Sequence, residues 1–379
     1  MANLRRIWDY VIPALLSFYI VSAWYVATFE IGVGWLLRTK DAPVLAAAYL
    51  VAVAIMMFAI SNAYLRLLTT PANHSIPAPD PPTALLNRTV PFECFSEDGN
   101  LEACFKGRCS GRWKPPRAHH CSTCGVCRIG FDHHCPWIGN CVTSRNKGDF
   151  LVFLLLTPIA ISVASSMVIT QVSSQFKGAY AVSTTDPWIL ENWWGWKWSW
   201  LCFGGPPGRY LTAVVLGYRE LQREHLRTGG PADTELGAMA REPSLRLLFL
   251  VLIGIVLGLF TIGLSIRTIY DVGRGLTSVD TMRQAGLRDG HIKPRLVWIP
   301  SSPTPQVTQQ AARNANGEDL SKGACCEVLP EERPYDLGWR RNLISLWETV
   351  HSNAHNGQYI IPTLNPEMLR RMRAGLVLR

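Results

Sequence analysis

Cys104 to Cys141 reads CFKGRCSGRWKPPRAHHCSTCGVCRIGFDHHCPWIGNC, and the reading of this stretch decides how the 379-residue chain is organised. Eight of the 11 cysteines fall in residues 94–141, with four of the nine histidines. The order is Cys104-x4-Cys109, then His119-His120-Cys121-x2-Cys124-x2-Cys127, then His133-His134-Cys135, then Cys141. Thiols repeated at C-x2-C spacing with histidines among them read as metal ligands rather than as core cysteines. Zinc takes four tetrahedral nitrogen or sulfur ligands, and structural sites are closed. With Cys94 outside the cluster and Cys135 held back, six cysteines and two histidines give eight ligands, enough for two structural zincs. Metal binding would then fold a segment too poor in apolar residues to build its own core.

Outward from the cluster the composition changes. Only 17% of the residues are charged and 48% are apolar, against roughly 25% charged in an ordinary soluble domain. A spanning helix needs roughly 20 apolar residues, because hydrocarbon offers no partner to backbone N–H and C=O groups. Residues 10–29, 43–65, 150–171 and 247–266 contain no Asp, Glu, Lys or Arg. The first lacks a small-residue cleavage site and reads as a retained helix, not a signal peptide. The expected fold is an α-helical membrane protein: four transmembrane helices with a cytosolic, loop-rich two-zinc domain between the second and third. Residues 1–70 form the N-terminal hairpin, 71–149 the zinc domain, 150–270 the second pair of spans, and 271–379 a soluble tail with a disordered middle.

Charge sets the orientation through the positive-inside rule. Arg5 and Arg6 precede the first span, ten Lys/Arg lie in residues 66–147, and the loop 30–42 has only Arg38 and Lys40. Both termini and the cysteine cluster therefore face the cytosol, where disulfides are disfavoured and thiolates are free to bind metal. The sequons at Asn73 and Asn87 fall on that side and should carry no glycan. Six of the 14 tryptophans lie in residues 188–200. Indole rings favour the membrane interface, so this segment is expected along the surface. The run 210–216 is too short to span, which leaves a re-entrant piece open. Cys325-Cys326 reads as a free thiol pair in the tail, and Cys202 as a small apolar residue.

Asp132-His133-His134-Cys135-Pro136-Trp137 suggests more than metal binding. A thiol becomes a nucleophile when a neighbouring base takes its proton, and a carboxylate fixes the tautomer of that base. In a plain zinc module Asp132 would instead be a solvated turn residue and Cys135 a ninth ligand. Two function classes follow: an enzyme with a cysteine nucleophile, or a non-catalytic, membrane-tethered zinc-binding interaction module. Nucleic-acid binding is not expected, because the +9 net charge is spread along the chain and the aromatic residues are not interleaved with it. The spans hold no ionisable residue that a transporter would need.

Lys114-Pro115-Pro116-Arg117-Ala118-His119-His120-Cys121, Cys124, Cys127, Asp132-His133-His134-Cys135-Pro136-Trp137, Asn140-Cys141 and Asn146 together resemble the DHHC-type protein S-acyltransferases, or palmitoyltransferases. The resemblance implies that Cys135 is the acylated nucleophile, His133 its base and Asp132 the group orienting His133. It further implies one zinc on Cys104, Cys109, His120 and Cys127, and another on Cys121, Cys124, His134 and Cys141. Acyl-CoA (palmitoyl-CoA) would be co-substrate, with the lipid bilayer and cytosol-facing substrate proteins as partners, in an endomembrane (ER, Golgi, vacuole or plasma membrane). Thr277-Ser278-Val279-Asp280 is a softened form of the family's Thr-Thr-x-Glu. Tyr335-Asp336-Leu337-Gly338 with Asn342 and Trp347 is similar to its C-terminal motif, on a short helix suited to the membrane face. Two departures stand out: Thr70-Pro71-Ala72 replaces Asp-Pro-Gly, and the first cysteine pair is spaced x4 rather than x2, so Cys94 rivals Cys104 as a ligand. Arg128, Arg145 and Lys147 could meet CoA phosphates, or equally lipid headgroups or solvent.

Overall fold

A computed structural model describes residues 2–69, 80–201, 205–228, 236–301, 323–352, 359 and 361–377. Thr70-Pro71-Ala72, the Asn73 sequon and Cys202 lie outside these residues, as does the side chain of Trp347. Among the described residues, four helices are long and apolar enough to cross a membrane: Ile7–Thr39, Pro43–Thr69, Lys147–Ser165 and Leu245–Gly273. The first runs well past the expected loop start at residue 30, as a π-helix over Val26–Thr39. Glu30 is accommodated there because its carboxylate accepts the Gly237 backbone N–H at 2.8 Å, so the acid stays buried without interrupting the helix. The third is shorter than expected: it stops at Ser165, and a separate helix starts at Ile169.

Contacts divide the chain into two units. One comprises Ala14–Asn62 and Phe153–Gly263. Its core gathers Val53, Tyr49, Val172, Val214, Tyr218 and Leu248, all buried. Helices Ile169–Ser183 and Pro206–Arg227 pack closely: a Cβ at Gly217 would come within 1.9 Å of the Ala179 carbonyl oxygen. The run 210–216 is thus part of a helix that pairs with its neighbour. Between these helices the tryptophan segment forms short helical turns over Pro187–Ile189, Leu190–Trp194 and Lys197–Trp200. Arg209 stacks on Trp194 and Trp200 at 4.9 and 4.0 Å. The same unit holds an apolar, partly open cavity of about 110 Å³ whose lining includes Tyr19, Ala23, Met57, Phe153, Ala164 and Val251.

The other unit comprises Met1–Pro13, Ala63–Val152 and Leu264–Arg379. It holds nine short strands among the described residues: β1 (Phe92–Cys94), β2 (Ala103–Cys104), β3 (Arg112–Trp113), β4 (His119–Cys121), β5 (Val126–Arg128), β6 (Phe131–Cys135), β7 (Asn140–Thr143), β8 (Leu296–Pro300) and β9 (Gly323–Glu327). The cysteine-rich part is three separate antiparallel pairs, β2-β3, β4-β5 and β6-β7. Their apolar content is small, and most of the buried groups in their two clusters are cysteines, joined by Phe131. β1, β8 and β9 form one three-stranded sheet. Val297 and Ile299 of β8 share a buried cluster with Leu364, Met368 and Met372, the last two from the helix Pro366–Val377. Cys325 and Cys326 therefore belong to a strand, not to a loose segment. Cys325 Sγ lies 2.9 Å from Cys94 Sγ.

Candidate active site

Strand alternation sorts the crowded cysteines and histidines. In β4-β5, His120 stands opposite Cys127, whereas the adjacent Cys121 stands opposite Val126. Successive strand residues point to opposite faces, so His120 and Cys121 are directed to different clusters. The same holds in β6-β7, where His134 faces Cys141 while His133 and Cys135 share the other face. Two sets converge, Cys104, Cys109, His120 and Cys127, and Cys121, Cys124, His134 and Cys141, each with its donor atoms within 4.8 Å of one another. His120 Nδ1 is 3.5 Å from the sulfurs of Cys104 and Cys109 and 4.0 Å from that of Cys127. His134 Nδ1 is 3.7, 3.6 and 3.5 Å from Cys121, Cys124 and Cys141. A tetrahedron with Zn–S of about 2.3 Å and Zn–N of about 2.0 Å has edges of roughly 3.5–3.8 Å, so both sets fit zinc. Cys94 is in neither set; it is buried with Phe92 and Trp298 beside Cys325, and Cys104 is the residue that stands with Cys109, His120 and Cys127.

The β6-β7 ladder slips between Phe131 and His133, leaving Asp132 as the extra residue of a bulge. A bulge re-aims side chains, and here it lets consecutive residues Asp132 and His133 meet. His133 Nδ1 is 2.8 Å from Asp132 Oδ2. The other oxygen, Oδ1, accepts from Lys147 Nζ at 2.6 Å and from the Ser278 backbone N–H at 3.1 Å. Ser278 Oγ adds a bond to Oδ2 at 2.8 Å. Asp132 is buried, so the solvated-turn reading does not apply to it. Burial alone would raise its pKa, but the bonds from His133 and Lys147 outweigh this and hold the carboxyl well below the usual range. Burial would likewise lower the His133 pKa; hydrogen bonding and charge from Asp132 and Cys135 prevail and raise it to about 9. The His133 ring also meets Phe150 edge-on at 5.6 Å.

Ser278 is placed by a capping box. Thr277 caps the helix Ser278–Arg288, with reciprocal bonds between Thr277 and Asp280. The first N–H groups of a helix lack intrahelical partners and favour an anion, which Asp132 supplies. Asp280 is itself held by Arg117 and Arg295. Burial is outweighed by these two arginines, which keep the Asp280 carboxyl at about 2. Tyr335 and Arg295 both reach Glu93, tying β1 to the segment that follows β9. Asn342, from the C-terminal motif, bonds the Gly273 carbonyl at 3.0 Å and the Leu337 N–H at 3.0 Å.

Sequence reading missed Lys147 as a partner of Asp132. It suggested a CoA phosphate contact, but Lys147 is only 7% exposed and its ammonium is taken up by Asp132. No local pattern signals this, because the two residues are 15 apart and meet only across the β6-β7 turn. Ser278 was missed as well, although the Thr277-x-x-Asp280 spacing is a legible helix-start pattern.

Residues 100–285 match the family model described as DHHC palmitoyltransferase. Palmitoyltransferase PFA3 of Candida glabrata is 39% identical over 103 residues, 26% of this chain and 28% of the relative. Palmitoyltransferase ZDHHC18 of Homo sapiens is 38% identical over 84 residues, 22% of this chain and 21% of the relative. Probable protein S-acyltransferase 13 of Arabidopsis thaliana is 48% identical over 54 residues, 14% of this chain and 18% of the relative. The chain thus spans about a quarter, or less, of the length of these curated relatives. The family-model match contains both Cys/His sets, Asp132, His133, Cys135, Lys147 and Ser278. With that match over the site and these relatives, residues 100–285 form a DHHC palmitoyltransferase domain.

Proposed function

We propose that this protein is a palmitoyltransferase that moves a long-chain acyl group from acyl-CoA to cysteine thiols of cytosol-facing proteins, through an acyl-Cys135 intermediate. One observation carries the reading: a buried Asp132, held by Lys147 and Ser278, meets His133, whose other neighbour is the buried Cys135. In the first step His133 takes the Cys135 proton, the sulfur attacks the thioester carbon, and CoA leaves and receives the proton. In the second, His133 takes the proton of a substrate thiol, whose sulfur attacks the acyl-Cys135 carbon. Cys135 then leaves and is reprotonated. Asp132 keeps Nδ1 of His133 protonated, so that Nε2 can act as the base.

Two structural zincs would be held by Cys104, Cys109, His120 and Cys127, and by Cys121, Cys124, His134 and Cys141. Their contribution is folding free energy for the short strand pairs, including the one that carries His133 and Cys135. A lipid chain as substrate is supported by the apolar cavity of the membrane-spanning unit, since each buried methylene contributes about 0.8 kcal/mol. The orientation with both termini and the zinc domain in the cytosol, in an endomembrane, rests on the Lys/Arg distribution.

Intact mass after incubation with palmitoyl-CoA tests the reading, with zinc content measured in parallel. Wild type should gain a hydroxylamine-labile acyl group that Cys135→Ser lacks, while both retain about two zincs. Absence of acylation in wild type, or loss of zinc in the variant, would leave the tethered zinc-binding module as the better description.

A further inference from the structure

The N-terminal helix Ala2–Tyr25 carries an acidic residue where a membrane-entering helix has little use for one. Asp9 Oδ1 lies 3.1 Å from Nε2 of His134, whose Nδ1 faces the three sulfurs of the second ligand set. Both side chains are shielded, with 17% and 14% of their surfaces exposed. Nδ1 facing the metal position leaves Nε2 as the protonated nitrogen, so His134 donates to the carboxylate. This is the usual outer partner of a metal-bound histidine, which fixes its tautomer and raises its basicity.

The contact is not a lone approach of two side chains. Pro13 has no N–H, so the Asp9 carbonyl, four residues earlier, lacks its helical donor. The turn after Cys135 packs against that opening: a Cβ at Gly139, whose φ is +57°, would come within 2.3 Å of the Asp9 carbonyl oxygen. Tyr64 joins the same place, its hydroxyl bonding the carbonyl oxygens of Pro13 at 3.3 Å and Trp137 at 3.1 Å.

We propose that Asp9 is the outer-sphere carboxylate of the second zinc site, and that through it the first helix fixes the ring of His134 and the turn that follows Cys135. Asp9 touches neither substrate nor thiol in this assignment; it is a positioning residue acting through His134. The inference rests on the two-zinc reading above, and it places a determinant of metal retention 95 residues upstream of the first ligand, Cys104.

Metal content and release from the purified full-length protein separate the inference from that reading. Wild type, Asp9→Ala, Asp9→Asn and Asp9→Glu are mixed with a chromogenic chelator and zinc release is followed. Wild type should release two zincs. In Asp9→Ala one of the two should leave about 10–100-fold faster, while the other keeps its rate. Asp9→Asn, which keeps an acceptor without the charge, should fall between. After substitution with cadmium-113, wild type should give two resonances. Asp9→Asn should move the one that disappears in Cys141→Ser and leave the one that disappears in Cys109→Ser. Unchanged release rates and resonances in the Asp9 variants, with two metals bound in wild type, would overturn the role of Asp9 alone. Wild type without zinc would instead overturn the two-zinc reading. Release of both zincs at equal, accelerated rates would show general unfolding and would also overturn the inference.

Discussion

Lys147 Nζ sits 2.6 Å from one oxygen of Asp132, and His133 Nδ1 sits 2.8 Å from the other. The carboxylate is thereby shared between an ammonium and the imidazole proposed as the base. Lys147 and Ser278 keep Asp132 ionised at either stage, so it can orient His133 without taking its proton.

Replacing Asp132 by Asn keeps the shape but removes the charge and offers His133 an amide. His133 would no longer be held in the tautomer that leaves Nε2 free. The single-turnover rate of acyl-Cys135 formation, read by intact mass, should fall by about 10²–10⁴-fold, with zinc content unchanged. A rate within twofold of wild type would remove Asp132 from the mechanism.

Protonated His133 is favoured in the folded protein, with its pKa raised to about 9 from the ordinary 6.5. Its interaction with Asp132 thus stabilises the fold fully below pH 6.5, and the contribution fades as pH rises to about 9. A base must be neutral to accept a proton, so the rate of acyl-enzyme formation should climb toward the alkaline side with an inflection near 9. In Asp132→Asn the inflection should move toward 6.5 at a lower plateau. A pH–rate profile with the same inflection in both proteins would contradict the coupling.

Removing Asp280 leaves Arg117 and Arg295 without their shared carboxylate and breaks the cap that sets Ser278 against Asp132. Asp280→Ala should destabilise the detergent-solubilised protein by about 3–5 kcal/mol, the cost of breaking a buried ion pair. Ser278→Ala deletes one hydroxyl donor and keeps the backbone N–H, and should cost about 1.5–3 kcal/mol. Denaturant melts of the two variants give the ordering, and a smaller loss for Asp280→Ala than for Ser278→Ala would refute it.

Cys94 and Cys104 are ten residues apart in the chain and have different surroundings: Cys104 faces His120 Nδ1 at 3.5 Å, and Cys94 faces Cys325. Cys94→Ser should therefore keep about two zincs, and Cys104→Ser about one. Elemental analysis of the purified variants decides it. The reverse pattern would place Cys94 at the metal.

Much of this molecule was legible along the chain. Uncharged runs of spanning length identify four membrane helices, because a bilayer rejects ionisable groups and unpaired backbone wherever they stand. Cysteine and histidine spacing likewise marks the two sets that converge, and the order Asp132-His133 marks a pair that meets, because strand pairs and tight turns make neighbours in sequence neighbours in space. Tertiary structure decided what depends on contacts between distant segments. Lys147 was diverted from a surface role by the β6-β7 turn, and Ser278 reached Asp132 across 146 residues. The first helix continued through Glu30 because a distant N–H met its carboxylate. Each of these groups is polar and buried or partly buried, and such a group is defined by the partner that satisfies it. That partner is set by folding, whereas hydrophobic length and ligand spacing are properties of the sequence itself.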